Sequence, residues 1–398
     1  MRLIFLSLVL VLGIPFASLG QNSLHLPSLV KNGSVRVELQ DGSPLVQYRD
    51  TESFVPASVL KLATAFCTIE QLGTDFRFET IFFSDNLNTL FIQGSGDPSL
   101  VSETLESIAQ NLSKAMKRVD RIVIDTSLFA DDLQIDGSER SLNPYDAKNA
   151  AFVGNYASAV LTHSRKGVVV SAEPQTPLTA IARQAALRLP RGTTERVNLS
   201  TDWRIGVRYG GELLAAFLAK HGVEGSMSVS LGATPATAKV ILRHRSPLTL
   251  GEIVKSMLEY STNFTANQLF LVLGATKHKA PATVQKGQQV MSTCLEQRLG
   301  WRDFHIEEGS GLSRKNRVSS LQMTELLKSF ERYSFLMPTK NGFVAKTGTL
   351  RGVSSLAGYI DLGERFGTAR FCIIINAEVP GTYKFHVARE LREYLSTH

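Results

Sequence analysis

The feature that most constrains the fold is a hydrophobic period that changes twice. After Pro56, the residues Val59, Leu60, Leu62, Ala63, Phe66, Ile69 and Leu72 recur at helical spacing until Gly73 stops them. From about Phe76 to about Val240 the pattern breaks into short strand-like runs, FETIFF, TLFIQG, RIVID and GVVVSAE, punctuated by Gly, Pro, Asn and Asp. At Thr249 the helical spacing resumes in LGEIVKSMLEYSTNFTANQLFLVLG. Strand-like runs at Gly342 to Leu350, Ser354 to Asp361 and Ala369 to Asn376 follow, then a last helix near Phe385 to Leu395. A hairpin signal precedes all of this, with Val35 to Glu38 and Leu45 to Tyr48 around Asp41-Gly42. This order predicts one α/β domain made of residues 21–75 and 241–398. An antiparallel sheet flanked by helices forms that domain, and a β-rich insert at 76–240 splits it.

Composition narrows the function. Hydrophobic residues are 43% of the 398, enough for real cores. The 43 basic and 36 acidic residues give a net +7, but Lys and Arg are scattered with no aromatic interleaving, which excludes a nucleic-acid binder and allows at most a peripheral membrane contact. Arg2, the uncharged apolar run Leu3 to Phe16 and the small residues of Ala17-Ser18-Leu19-Gly20 read as a signal peptide, residues 1–20, cleaved near Gly20/Gln21. Gly13 and Pro15 interrupt the run, which is short for a membrane span. Cys67, Cys294 and Cys372 are odd in number and the eight His show no ligand spacing, so no metal is expected; buried free thiols are the expectation, with one disulfide as the alternative. Asp131-Asp132 reads as a turn, and Trp203 and Trp301 as packing residues.

Three short motifs carry chemistry. Ser58-Val59-Leu60-Lys61 opens a helix, so Ser58 and Lys61 share a face and a neutral Lys61 amine can take the hydroxyl proton. A lysine is neutral near pH 7 only when desolvated or next to another cation. Ser28-Leu29-Val30-Lys31 has the same spacing but runs straight into Asn32-Gly33, so it is discounted. Ser261-Thr262-Asn263 projects its outer side chains together only if the helix breaks there. Lys346-Thr347-Gly348-Thr349 lies on a strand, where Lys346 and Gly348 point one way and Thr347 the other. A Lys346 beside the nucleophile would help keep Lys61 neutral, the Thr347 or Thr349 hydroxyl would bind a carboxylate, and Gly348 would let a substrate backbone come close. Each motif alone is also compatible with ordinary surface polarity; their order is what speaks.

In this order the motifs match the S-x-x-K, S-x-N, K-T-G set of penicillin-binding proteins and β-lactamases. With PASVLKLATA, QGSGDPSL (Gln93 to Leu100), IDTSLF (Ile124 to Phe129), EGSGLSRKNRVS (Glu308 to Ser319) and KTGTLRGVSSLAGYI, the chain resembles the class C low-molecular-mass penicillin-binding proteins, the DacB-like D-alanyl-D-alanine carboxypeptidases/endopeptidases. Thr262 stands where that family more often has Asp or Asn. The resemblance implies a transpeptidase-type α+β fold, a periplasmic location, peptidoglycan stem peptides as substrate, β-lactams as inhibitors and no cofactor. It implies Ser58, Lys61, Ser261 and Lys346 as catalytic residues, and Asn263, Thr347, Gly348 and Thr349 as substrate-binding ones. Asp146, in NPYDAKNAAF, falls where an insert-borne acid of the family would meet a diamino-acid amine, with a plain surface Asp as the alternative. The rival readings are a β-lactamase or serine esterase on the same scaffold, and a non-catalytic cell-wall-binding protein.

Overall fold

A computed structural model describes residues 25–397; the expected signal peptide at 1–20 lies outside the described residues. The chain runs through α1 (Leu26–Leu29), β1 (Gly33–Glu38), β2 (Pro44–Tyr48) and a 3-10 turn (Ala57–Leu60) that leads into α2 (Lys61–Leu72). There follow β3 (Glu79–Ser84), β4 (Thr89–Gln93), α3 (Ser102–Ala115), β5 (Arg121–Asp125), β6 (Ser158–His163), β7 (Val169–Ser171), α4 (Ala180–Ala186), β8 (Thr193–Asn198), α5 (Trp203–Lys220), β9 (Ser228–Leu231) and β10 (Lys239–Arg245). The last part comprises α6 (Leu250–Tyr260), α7 (Asn263–His278), α8 (Val284–Leu299), α9 (Ser320–Phe330), β11 (Thr339–Lys340), β12 (Phe343–Leu350), β13 (Val353–Asp361), β14 (Thr368–Ile375) and α10 (Tyr383–Thr397).

The main sheet has the order β11-β12-β13-β14-β1-β2 and is antiparallel throughout, so the two ends of the chain share one sheet. Its central strands β1, β13 and β14 are buried on both faces, and the period of two sorts their side chains. Ala357, Tyr359, Cys372 and Ile374 pack with Phe66, Leu269, Met291 and Leu327 from α2, α7, α8 and α9. Leu356, Ile360, Phe371 and Ile373 pack on the opposite face with Phe385, Val387, Ala388 and Leu391 of α10.

Between α2 and α6 the chain builds a second core. The sheet β10-β3-β4-β5-β9 is mixed, with β4, β5 and β9 parallel. It is covered by α3 and α5, which sequence patterning did not single out; Leu105, Ile108, Leu213 and Phe217 pack there with Phe82, Ile92 and Ile124. A smaller sheet, β7-β6-β8, carries α4. Entry and exit of this segment lie side by side, since the Leu250 N–H donates to the Phe76 carbonyl at 2.7 Å and the Gly251 N–H to Thr74 at 2.9 Å.

The cysteine expectation is corrected. Cys67 on α2 and Cys294 on α8 form a disulfide with their Cα atoms 6.0 Å apart, and only Cys372, buried on β14, is free. A sequence separation of 227 hides a pairing that packing of α2 against α8 creates. Among the described residues no helix is long and apolar enough to cross a membrane.

Candidate active site

Three elements converge beside the edge of the main sheet. Ser58 sits in the 3-10 turn that opens α2, right after Ala57, whose φ of 51° is in the left-handed region although it has a Cβ and is fully buried. Such a conformation persists only where neighbours hold it. Here the Ser355 hydroxyl of β13 donates to the Pro56 carbonyl at 2.6 Å. Gly348 of β12 packs so closely that a Cβ there would lie 2.9 Å from the Ser58 amide nitrogen and 2.9 Å from the Pro56 carbonyl oxygen. Glycine at 348 is therefore a steric requirement of the site.

The helical run after Thr249 breaks where the S-x-N motif requires it. Ser261, with φ 57°, ends α6 in the left-handed conformation, and Asn263 begins α7. The turn aims Ser261 Oγ at Lys346 Nζ, which donates to it at 2.8 Å, and Asn263 Oδ1 at Lys61 Nζ, 2.8 Å away.

Lys61 is fully buried, and its Nζ touches three acceptors: Ser58 Oγ at 2.9 Å, Asn263 Oδ1 at 2.8 Å and the Ser310 carbonyl at 2.7 Å. Two of these are carbonyl oxygens and can only accept. A neutral amine gives them its two hydrogens and turns its lone pair to the Ser58 hydroxyl, so the geometry suits proton transfer from Ser58. Burial first, and the charge of Lys346 second, push Lys61 down to about 7; Glu308 opposes them. Lys346 is also pushed down to about 7, by burial and then by Lys384 and Lys340.

The groups that hold this arrangement lie outside the residues to which the three motifs assign roles. Buried Glu308 accepts from the Ser310 amide, the Ser310 hydroxyl, the Ser313 amide and Asn316 Nδ2, fixing the loop whose Ser310 carbonyl meets Lys61. Asn267 Oδ1 accepts from the Gly309 N–H at 2.8 Å. Lys384 of α10 donates to the Gly348 carbonyl and to Thr349 Oγ1, both at 2.6 Å.

A cleft of about 550 Å³ opens over these groups, lined by Ser58, Ser261, Asn263, Thr347 and Thr349 on one side and by residues of the segment 137–146 on the other. A larger hollow of about 730 Å³ lies between Asp125, Trp203 and Gly232, but its lining holds no lysine, and chemistry selects the smaller cleft. Asp146 lines the cleft and is 7% exposed, so it is no ordinary surface residue; its carboxylate accepts from the Glu139 N–H at 2.8 Å and from Ser141 Oγ at 2.5 Å. Ser28 is elsewhere, its hydroxyl donated to the His25 carbonyl within α1. Trp301 is buried, as is Trp203.

Comparison with known proteins bears on the family and the fold. The sequence pattern described as the D-Ala-D-Ala carboxypeptidase 3 (S13) family matches residues 18–188 and 188–344. A D-alanyl-D-alanine carboxypeptidase DacB of Haemophilus influenzae is 24% identical over 429 residues, covering 89% of this chain and 88% of the relative. A D-alanyl-D-alanine carboxypeptidase of Actinomadura sp. (strain R39) is 26% identical over 448 residues, covering 91% and 81%. Among solved structures, penicillin binding protein 4 (dacB) from Haemophilus influenzae superposes with a TM-score of 0.76 at 21% identity, over 94% of this chain and all of that one.

Proposed function

This chain belongs to the D-Ala-D-Ala carboxypeptidase 3 (S13) family, and from that premise we propose a serine acyl-enzyme mechanism centred on Ser58. The protein is a serine-type D-Ala-D-Ala carboxypeptidase acting on peptidoglycan. The one observation that carries the mechanism is the contact set of Lys61, whose carbonyl partners leave its lone pair for Ser58.

In this reading Ser58 Oγ attacks the carbonyl carbon of the penultimate D-Ala while Lys61 takes its proton. The oxyanion meets the backbone N–H groups of Ser58 and Thr349. Ser261, beside Lys346, passes a proton to the departing amine, and the C–N bond breaks to release D-Ala. Asn263 orients the substrate amide. Lys346, Thr347 and Thr349 hold the terminal carboxylate, and Gly348 admits the substrate backbone. Water then hydrolyses the Ser58 ester. A β-lactam acylates Ser58 and stalls there, because its ring-opened leaving group stays attached. D-Ala–diamino-acid cross-links are a second substrate of the same steps, which would make the enzyme an endopeptidase as well. Residues 1–20 act as a cleaved signal and the mature enzyme works in the periplasm. We read 21–75 with 241–398 as the catalytic domain and 76–240 as its insert; two main cores favour the division in outline, but Phe129 and Ala151 pack in the first, Phe264 packs in the second, and β10 (Lys239–Arg245) carries the insert's sheet past residue 240.

The test is labelling by a fluorescent penicillin, followed by hydrolysis of diacetyl-Lys-D-Ala-D-Ala. Labelling should vanish in Ser58→Ala and persist in Ser28→Ala; the reverse result refutes the nucleophile. Rapid turnover of the penicillin without D-Ala release from the peptide would make the protein a β-lactamase instead.

A further inference from the structure

Lys384 stands out among the buried groups to which this mechanism gives no task. It is 2% exposed, on α10, on the far side of the main sheet from Ser58. Its Nζ reaches through to donate to the Gly348 carbonyl and to Thr349 Oγ1, both at 2.6 Å. Among the described residues no carboxylate pairs with it, nor with Lys61 or Lys346. A buried cation without a counter-ion is costly and is kept where a ligand supplies the charge.

The Thr349 hydroxyl has one hydrogen. Because its oxygen accepts from Lys384, that hydrogen is free to point away from the lysine, and Thr349 is exposed and lines the cleft. The lysine therefore turns a hydroxyl of either polarity into a donor, and polarises it with a positive charge behind. Burial pushes Lys384 down only to about 8, so it is mostly protonated at pH 7.

We propose that Lys384 is a positioning residue which acts through Thr349 to make the cleft select substrates ending in a free carboxylate over those ending in a neutral group. The inference rests on the reading that Thr349 meets the terminal carboxylate. A hydrogen bond to a charged group is worth about 1.5–3 kcal/mol, or roughly 10- to 150-fold. Because the carboxylate is held before and during acylation, the loss should fall on KM more than on kcat.

The experiment compares diacetyl-Lys-D-Ala-D-Ala with its C-terminal carboxamide, using wild type, Lys384→Met, Lys384→Gln, Thr349→Val and the Lys384→Met/Thr349→Val double variant, each checked by thermal melting. In the wild type the acid should be preferred. Lys384→Met should cut kcat/KM for the acid by about tenfold or more, chiefly through KM, and change the amide by less than about threefold. The double variant should be no worse than the poorer single one. Lys384→Gln, which keeps a donor but no charge, should fall between and carries the test if Lys384→Met does not fold. The proposal is overturned if acid and amide lose equally, or if the Lys384 and Thr349 effects multiply. Failure of the underlying mechanism looks different: penicillin labelling would then survive Ser58→Ala in the same preparations.

Discussion

Removing the charge of Lys346 should move the pH at which Ser58 becomes reactive. An ordinary lysine, with a pKa near 10.5, has about one amine in 3,000 neutral at pH 7; Lys61, at about 7, has about half. The difference disfavours its ammonium by about 5 kcal/mol and supplies roughly a thousandfold more base at neutral pH. Burial is the larger cause and Lys346 the second. Lys346→Met leaves the burial and deletes the charge, which on the scale of a single like-charged neighbour returns about one pKa unit to Lys61. The rate constant for acylation by a chromogenic penicillin, followed by stopped flow from pH 5 to 10, should rise with pH in the wild type with a midpoint near 7. In Lys346→Met that midpoint should move up by about one unit, so that acylation at pH 6 falls about tenfold more than the plateau does. The plateau itself also drops, since Ser261 loses its partner, but plateau height and midpoint are read separately. A midpoint that stays in place or moves down in the variant, or a wild-type rate that is flat through pH 7, would refute the reasoning.

The three buried lysines also predict how stability varies with pH. Lys61, Lys346 and Lys384 titrate at about 7, 7 and 8 when folded and near 10.5 when unfolded, so above pH 7 the unfolded chain binds more protons and stability rises with pH until about 10.5. Between pH 7 and 8.5 the gain is roughly 1–2 kcal/mol per lysine, readable as a higher urea midpoint; a flat or falling midpoint contradicts it. Reduction of Cys67–Cys294, or replacement of both by Ser, should cost about 2–4 kcal/mol in urea unfolding, and Cys372→Ser should leave the sensitivity to reductant unchanged. Glu38 is 4% exposed between Arg36 at 2.9 Å and Arg370 at 3.1 Å; Glu38→Ala leaves Arg36 its Asp50 partner at 2.6 Å and Arg370 the Leu39 and Gln40 carbonyls, so it should cost about 1–3 kcal/mol in urea unfolding, and an unchanged stability would refute this.

What was legible in the chain is what is local. The helix after Ser58 shows its apolar period within a dozen residues, and the Asp41-Gly42 hairpin shows its turn. The nucleophile was separated from Ser28 by that same local contrast. The break at Ser261 was legible only as a chemical demand, since nothing in YSTNF spells a left-handed residue. The disulfide and the Glu308 loop were not legible, because each depends on which helices and loops meet across more than two hundred residues. The helices α3 and α5 were obscured by the strand-like runs around them, and by glycines at 206, 210 and 211 that serve close packing, as where a Cβ on Gly210 would lie 2.8 Å from the Gly154 nitrogen.

Lys384 marks the boundary between these two kinds of information. It shares the face of Val387, Ala388, Leu391 and Leu395 at spacings of 3, 4, 7 and 11, so the sequence already sets a lysine on the apolar side of an amphipathic helix. A cation in that place needs either an acidic partner or an outlet to solvent or ligand. Counting only apolar residues passes over it, whereas asking what each charged residue on an apolar face pairs with would have singled it out. That question identifies the residue but not its partner. Only the packing of α10 behind β12 reveals that the lysine ends at Thr349 and Gly348, on the strand that packs against the Ser58 turn, rather than at a glutamate.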